Sequence, residues 1–154
     1  MNALHDAFLR DSLDVAEAIV STGSVADFDQ PDPSGSTALI YAAWRGCSHI
    51  VSMLLGHGVD ITVENDTGFN ALHVSAMHGR PGAAAMLLGA GASLDATHGD
   101  TGSTSLHMAK LLVDSGANVD QQAKNGETPL YMAATRGEVA VIRLLLAHGA
   151  DPGL

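Results

Sequence analysis

The chain has 154 residues, enough for one domain, and its 46% hydrophobic and 16% charged residues exclude a disordered polar segment. Its formal net charge of −10 at pH 7 disfavours binding to nucleic acid or anionic membranes and favours a partner with a basic segment. Only 4% of the residues are aromatic and 17 are glycine, so we expect tightly packed small side chains and many sharp turns.

The single cysteine, Cys47, excludes an internal disulfide framework and is typical of a reducing compartment. The first eleven residues, MNALHDAFLRD, are too charged for a secretory signal peptide, and the apolar run 83–88 is too short to span a bilayer. We therefore expect an intracellular protein, most simply a cytoplasmic one, that does not bind membranes.

Glycine and leucine recur along the chain with a period of 33 residues. The pairs at this distance are Gly35 and Gly68, Leu39 and Leu72, Gly46 and Gly79, Leu54 and Leu87, and Gly58 and Gly91. The same internal spacing of 4, 7 and 12 residues relates Gly126, Leu130, Gly137 and Gly149. Self-similarity at this period indicates a repeat protein in which each unit is one supersecondary motif.

The first of five predicted units comprises residues 1–31. Its apolar positions match those of the next unit, but Asp11 stands where that unit has Gly46 between its two helices. The unit is also charged, with acidic side chains such as Asp6 and Asp14. Because the end of a stack of repeats meets water, we interpret this polar unit as an N-terminal capping repeat.

The units 32–64 and 65–97 each have the complete pattern of a helical hairpin. A turn ending in glycine precedes an N-cap residue, Thr37 in one unit and Asn70 in the other, and then the first helix. Pro81 falls early in a second helix, where proline is tolerated.

The unit 98–121 is truncated by nine residues, because Leu106 and Leu112 are 6 apart where Leu72 and Leu87 are 15 apart. The remaining residues 104–115 would form one continuous helix, which cannot cover the area of two. We expect this unit to be the weakest point of the stack and to bend it, with weaker amide protection than residues 50–55. The alternative is that the nine missing residues are not a native feature of the protein but result from splicing or from a faulty gene model.

The last unit, 122–154, has the clearest hairpin pattern. Thr128 is a good N-cap, Pro129 takes the first helical position, and residues 138–148 predict a second, amphipathic helix. No polar closing unit follows, which indicates either a fragment of a longer protein or a docking edge. The side chains expected to be partly uncovered are Val139, Ile142 and Leu145.

Three stretches identify the repeat: SGSTALIYAAWRG, DTGFNALHVSAMHG and NGETPLYMAATRG. They resemble the ankyrin repeat, whose pattern is a turn, then T-P-L-H-x-A-A, then a second helix ending in L-L-x-x-G-A. The resemblance covers essentially the whole chain. It implies an all-α fold, an ankyrin-type helix-turn-helix solenoid with short β-turn fingers and one truncated repeat.

Ankyrin proteins mostly bind other proteins through a concave face made of inner helices and turn tips, and most have no catalysis of their own. The resemblance therefore implies a non-catalytic scaffold or adaptor module that binds a protein partner through that face. A regulatory or targeting segment of a larger multidomain protein, such as an enzyme, is the alternative. The acidic balance and the lack of a basic stripe disfavour a nucleic-acid binder.

Residues that packing does not constrain are the candidates for partner contact. They precede each inter-helix glycine or lie at the turn tips, where Ser36 is also expected to face outward. Trp44 and Arg45 lead, because Trp and Arg often dominate binding energy, although Trp44 could instead lie flat on a neighbouring helix. The acidic members either meet a basic partner or form a solvated rim. The predicted partner-binding residues are Trp44, Arg45, Glu64, Asp66, Phe69, Met77, His78, Lys124, Glu127 and Arg136.

The eight histidines do not indicate a metal site, because no pair has H-x-x-x-H spacing and no Cys-x-x-Cys occurs. His73 and His107 match the His of T-P-L-H, which the resemblance implies to be structural, and His57 and His148 fall where a second helix ends. No nucleophile elbow, phosphate loop or paired carboxylate motif is present. We expect no enzyme activity, metal, cofactor or small-molecule substrate.

Overall fold

A computed structural model of the chain describes residues 2–23, 25–92, 110, 113–114, 118–120, 122 and 126–154. The helices of this part are α1 (Ala3–Leu9), α2 (Leu13–Thr22), α3 (Val25–Phe28), α4 (Ala38–Arg45), α5 (Ser48–Gly56), α6 (Ala71–Met77), α7 (Pro81–Gly89), α8 (Pro129–Arg136) and α9 (Val139–Ala147). Most of the truncated unit 98–121, including Leu106 and His107, lies outside the described residues, as does Lys124.

The helices pair along the chain as α1–α2, α4–α5, α6–α7 and α8–α9, each pair joined by two or three residues. In the N-terminal part the first helices α1, α4 and α6 pack side by side, while α2, α5 and α7 form a second layer. This is the predicted all-α solenoid of helical hairpins. The short helix α3 was not predicted. Its Phe28 is 1% exposed and meets the His57 ring edge-on at 5.3 Å between ring centroids.

Buried side chains form two clusters. The larger spans α1 to α7 and includes Leu54 and Leu87, both 0% exposed. The smaller lies within the α8–α9 hairpin and includes Leu145, also 0% exposed. The prediction that Leu145 is partly uncovered is therefore wrong, because it lies on the packed side of α9. The exposed stripe of that helix runs through Val139, 58% exposed, and Leu146, 47% exposed.

Side chains before the helices set where the helices begin. Asn70 Oδ1 accepts a hydrogen bond from the His73 backbone N–H at 3.1 Å, and His73 Nδ1 accepts one from the Asn70 N–H at 3.2 Å. Asn2 and His5 form the same reciprocal capping box before α1, which was not predicted. Thr37 takes the predicted N-cap position with an extended backbone, but its hydroxyl makes no capping hydrogen bond.

The inter-helix positions need a left-handed backbone. Gly46 and Gly137 adopt φ values of 74° and 70°. Asp11, which replaces the glycine in the first hairpin, has φ 59° and is the non-glycine residue with positive φ in the described part of the chain. Its carboxylate lies 3.3 Å from the Arg45 guanidinium. This ion pair joins the first inter-helix turn to the neighbouring hairpin.

Asp32 organises the turn before α4. Its carboxylate accepts hydrogen bonds from Ser34 Oγ at 2.7 Å, from the Ser36 N–H at 2.9 Å and from the Tyr41 hydroxyl at 2.8 Å. Ser36 is thereby 7% exposed, so the expectation that it faces outward is wrong. Burial alone would raise the pKa of Asp32, but the hydrogen bonds from Ser34, Tyr41 and Ser36 outweigh it and lower the pKa to about 2.

Two arginines tie neighbouring hairpins together. The Arg45 guanidinium donates to the Phe8 carbonyl at 3.1 Å from Nε and 2.8 Å from a terminal nitrogen. Arg80 Nε donates to the Trp44 carbonyl at 3.1 Å. Both acceptors lie in the last turn of the preceding first helix, where carbonyls have no partner within the helix. A cation there also interacts favourably with the helix dipole.

We expect Arg45→Ala to lower the free energy of unfolding by about 2 kcal/mol, because it removes charge-assisted hydrogen bonds from a half-buried carbonyl. Urea denaturation measures this. Arg10→Ala is the matched control. The Arg10 side chain is 76% exposed and its Asp6 partner is 3.9 Å away, so the change there should be below ~0.5 kcal/mol. Equal effects of the two variants would contradict an inter-hairpin role for Arg45.

Asp32 should make stability depend on pH in the acid range. Its folded pKa of about 2 lies below the ordinary value of 3.8, so its contribution is complete above pH 3.8 and is lost as pH falls towards 2. The lost contribution is about 2 kcal/mol. Asp32→Asn should show a flatter decline in the free energy of unfolding over this range. If the free energy of unfolding fell equally with pH in the wild type and in Asp32→Asn, Asp32 would not be the source of the acid sensitivity.

Candidate functional site

A surface groove of about 470 Å³ lies where α4 and α6 meet the turn that precedes α6. We call it the Trp44 groove. The side chains that shape it are Ile40, Tyr41, Trp44, Phe69, Met77 and His78. Its surface is mostly apolar and is open to solvent. A concave apolar site with a few polar groups at its edge is the usual form of a binding site.

Trp44 forms one wall of the groove and is half-buried. Its ring meets the rings of Tyr41 and His78 edge-on, each at 6.2 Å between centroids, and it packs against the larger core cluster. The Arg45 guanidinium carbon lies 4.6 Å from the Trp44 ring centroid, in cation–π geometry. The sequence left open whether Trp44 packs on a neighbouring helix or faces a partner. In the structure, part of the ring is packed and part lines the groove.

Arg45 lies beside the groove but is held by contacts within the chain. Its side chain is 25% exposed, and its nitrogens bond the Phe8 carbonyl and pair with Asp11. The predicted partner contact through Arg45 stays a prediction. The sequence did not indicate that the Arg45 guanidinium links two hairpins.

The opposite wall of the groove comes from the next hairpin. Met77 is 37% exposed, and Phe69 is half-buried with its ring at 6.1 Å from that of His73. His78 Nδ1 lies 3.0 Å from the Val74 carbonyl, so this nitrogen carries the proton and donates. Four residues predicted to contact a partner therefore line one groove, and they come from two different hairpins: Trp44, Phe69, Met77 and His78. Their contact with a partner stays a prediction.

Two predicted acidic residues, Glu64 and Asp66, are sequence neighbours of groove residues but do not line the groove themselves. Asp66 is exposed and Glu64 is half-buried, and both belong to the turn whose Asn65 and Thr67 line the groove. The Asp66 N–H donates to the Ser34 carbonyl at 2.9 Å, which holds this turn against the preceding one. The carboxylate of Asp66 faces Gly35 of that preceding turn.

The other predicted contact residues belong to the C-terminal hairpin. Glu127 is half-buried and lines a different cavity, of about 370 Å³, with Tyr131 and Leu154. Arg136 is exposed in the last turn of α8. Lys124 is outside the described residues.

Tyr41 is a groove residue that sequence reasoning missed. Within the first helix of each hairpin, the sequence pattern assigns only the two residues before the inter-helix glycine to the surface. Tyr41 precedes Trp44 by three positions, a spacing that places both on one face of a helix, and this signal could have found it. Burial and the hydrogen bond to Asp32 raise the pKa of Tyr41 to about 12. Its hydroxyl therefore stays protonated and donates to the carboxylate.

Burial keeps Cys47 and His5 in their neutral forms. Burial raises the pKa of the Cys47 thiol, which disfavours the nucleophilic thiolate. Burial also lowers the pKa of His5, so its imidazole is neutral in the core. Within the described ranges, no three His, Cys, Asp or Glu side chains form a group that could hold a metal ion. No helix there is long and apolar enough to cross a membrane.

Comparison with known proteins agrees with the hairpin architecture. The family model of ankyrin repeats, in three copies, matches residues 4–98 and 100–154. The chain is 32% identical over 162 residues to the nuclear factor NF-kappa-B p105 subunit of Gallus gallus, which covers 97% of this chain and 16% of that protein. It is 33% identical over 164 residues to the B-cell lymphoma 3 protein homolog of Mus musculus, which covers 98% of this chain and 36% of that protein.

An enzyme is also among the relatives. The chain is 31% identical over 155 residues to the E3 ubiquitin-protein ligase KEG of Arabidopsis thaliana, over 92% of this chain and 9% of that protein. The chain thus spans about a third or less of the length of these relatives. Ankyrin repeats are modules for protein–protein interaction and are not a catalytic fold. Matched by the family model over nearly its whole length, and folded as stacked helical hairpins, the chain belongs to the ankyrin repeat family.

Proposed function

We propose that the chain is a non-catalytic scaffold or adaptor module that binds a protein partner through the Trp44 groove. The observation that carries the proposal is an aromatic and apolar groove open on the surface of a protein-binding fold. Tyr41, Trp44 and Phe69 offer ring surface from two hairpins, and aromatic side chains supply much of the energy at protein interfaces. Met77 adds a flexible apolar side chain that adapts to the shape of a ligand.

The chemistry of the groove favours a partner segment with an apolar anchor residue and neighbouring basic residues. The apolar lining suits the anchor. Asp66, exposed in the turn whose Asn65 and Thr67 line the groove, and the net charge of −10 would attract lysine or arginine. Exposed charges of this kind act mainly on the rate of encounter and on specificity. The unpaired Cys47 supports an intracellular, cytoplasmic setting for this interaction.

A regulatory or targeting segment of a larger enzyme is the second candidate. The observation that favours it is the match to a ubiquitin ligase of which this chain covers 9%. In that setting the same groove would hold a substrate or a regulatory protein near a catalytic domain. Partner identification separates the two candidates.

Trp44→Ala should weaken binding of the partner by about 2 kcal/mol, roughly 30-fold in Kd, because it removes the largest ring surface in the groove. Its cost to folding should stay below the ~3 kcal/mol expected for a fully buried tryptophan, because Trp44 is only half-buried. Partners captured from a cell extract by the wild-type chain identify the ligand, and calorimetry with the purified partner gives Kd.

Met77→Ala is the second groove variant, since Met77 is 37% exposed and is less tied to the core. The matched control is Tyr131→Ala, which removes an aromatic side chain, 50% exposed, on the C-terminal hairpin. Trp44 is the sole tryptophan, so its fluorescence reports ligand binding in the Met77 variant and the control. A partner that binds both groove variants as tightly as the wild type would refute the proposed site.

Asp66→Asn should weaken partner binding about threefold and reduce the dependence of Kd on salt, because the variant loses one exposed charge from the turn that borders the groove. The effect should appear mostly in the association rate, which surface plasmon resonance measures. Asp29→Asn, a loss of charge in another turn, serves as control. An unchanged salt dependence would indicate that the acidic edge is only a solvated rim.

A further inference from the structure

The carboxylate of Asp32 is buried and ionised, and within the described part of the chain it has no cation as partner. Asp32 is 9% exposed, and its pKa of about 2 keeps it charged at neutral pH. His5 lies next to Tyr41, but burial lowers the pKa of His5, so its imidazole does not offset this charge. The ion pairs between described residues are formed by other acidic side chains: Asp6, Asp11 and Glu17.

The turn that contains Asp32 does not need this charge in order to form. Asn65 is the counterpart of Asp32 in the next repeat, 33 residues later. In each turn, Oδ1 of this residue accepts hydrogen bonds from two backbone N–H groups and one hydroxyl. A neutral amide therefore holds an equivalent turn. What Asp32 adds is a second charged oxygen, which binds the Tyr41 hydroxyl at 2.8 Å.

Two hydroxyl groups of residues that line the Trp44 groove can only accept hydrogen bonds from a ligand. The Tyr41 hydroxyl donates to the ionised Asp32 carboxylate, which has no proton to give. The Thr67 hydroxyl donates at 2.7 Å to Asn65 Oδ1, an oxygen that also accepts two backbone N–H groups. Because both protons are used within the chain, the two oxygens favour a ligand that donates hydrogen bonds.

A cationic donor suits the Tyr41 oxygen better than a neutral one. The negative charge of Asp32 lies one hydrogen bond behind this oxygen and polarises the hydroxyl towards a positive donor. The surrounding surface of the groove is mostly apolar, so water screens the charge less than it would on an open polar surface. The groove therefore combines an apolar lining with attraction for a cation at one position.

The cation already present near the groove indicates where a second one would lie. The Arg45 guanidinium is 4.6 Å from the Trp44 ring centroid, and its charge is paired with Asp11. A second cation on the Trp44 ring would be repelled by Arg45. Tyr41 and, on the opposite wall, Phe69 are the better partners.

We propose that the Trp44 groove binds an arginine side chain of the partner, whose guanidinium donates to the Tyr41 hydroxyl oxygen and lies against the Phe69 ring. Arginine suits this site better than lysine, because its planar group stacks on aromatic rings, carries several donors and is more weakly hydrated. The arginine accompanies the apolar anchor that occupies the rest of the groove. This inference rests on the proposed function, since it names the ligand chemistry of the same groove.

Titration with N-acetylarginine methylamide, followed by NMR, tests the arginine site without a known partner. The signals of Tyr41, Trp44 and Phe69 should shift together and saturate, with a Kd on the order of 1 mM, as expected for a ligand of this size. N-acetylcitrulline methylamide has nearly the same shape but no charge. At matched ionic strength it should bind at least about tenfold more weakly.

Variants separate the charge of Asp32 from a general acidic field. Asp32→Asn should weaken binding of the arginine probe about tenfold, because the new amide has no charge and would donate to the Tyr41 oxygen. Tyr41→Phe removes the acceptor, keeps the Asp32 charge and should weaken binding to a similar extent. Asp66→Asn is the matched control, since it removes the same charge from the turn that borders the groove, and its effect should not exceed about threefold. Circular dichroism checks that each variant keeps its helices.

Each contrary outcome has a distinct meaning. If the groove signals did not shift at probe concentrations far above the expected Kd, the arginine site would be wrong. Equal binding of the citrulline probe, or equal losses in Asp32→Asn and Asp66→Asn, would also overturn it, because the Asp32 charge would then play no specific part. A lysine probe that bound as tightly as the arginine probe would overturn the choice of arginine.

Failure of the arginine site is distinguishable from failure of the proposed function. The proposed function is tested by the loss of the natural partner in Trp44→Ala and Met77→Ala, whatever side chain that partner inserts. A partner that needs these residues, together with an arginine probe that does not bind, would overturn the arginine site alone. A probe that binds as expected, together with a partner that ignores both groove variants, would overturn the proposed function alone.

Discussion

A hairpin of two short helices cannot bury both of its apolar sides by itself, and much of the described structure follows from that constraint. A pair of short helices has two apolar faces, so each hairpin depends on a neighbour on either side. Leu54 and Leu87, in the middle of the described stack, are fully buried, whereas Val15 and Leu146 at its ends are about half exposed. Polar contacts also depend on the neighbouring hairpin, because Arg45 and Arg80 donate hydrogen bonds to backbone carbonyls of the preceding one.

Local features of the fold could be predicted from the sequence because their causes are local. Thr128 and Pro129 begin α8, and the predicted second helix 138–148 is observed as Val139–Ala147 between its cap residues. Turn glycines and N-cap side chains act within four or five residues, so their spacing is sufficient to locate them. The family assignment from the repeat period is likewise confirmed.

Features that depend on stacking could not be predicted in this way. The Arg45–Phe8 hydrogen bond joins residues 37 apart, and the short helix α3 is anchored by a contact with His57 of a later unit. The repeat period indicates which side of a helix faces the interior, but the depth of burial is set by the next hairpin. For this reason the spacing placed Trp44 next to Met77, which lines the same groove, yet it missed Tyr41 and misplaced Ser36.

The Arg45 guanidinium connects the groove with the first hairpin, because it covers the Trp44 ring and binds the Phe8 carbonyl and Asp11. One side chain thus makes both the cation–π contact with Trp44 and the hydrogen bond to the C-terminal end of α1. We therefore expect a ligand that fixes Trp44 also to favour the packing of the N-terminal hairpin against the next one, and by thermodynamic reciprocity that packing should favour the ligand. On this basis we expect affinity at the groove to depend on residues such as Asp11, which lies outside the groove lining.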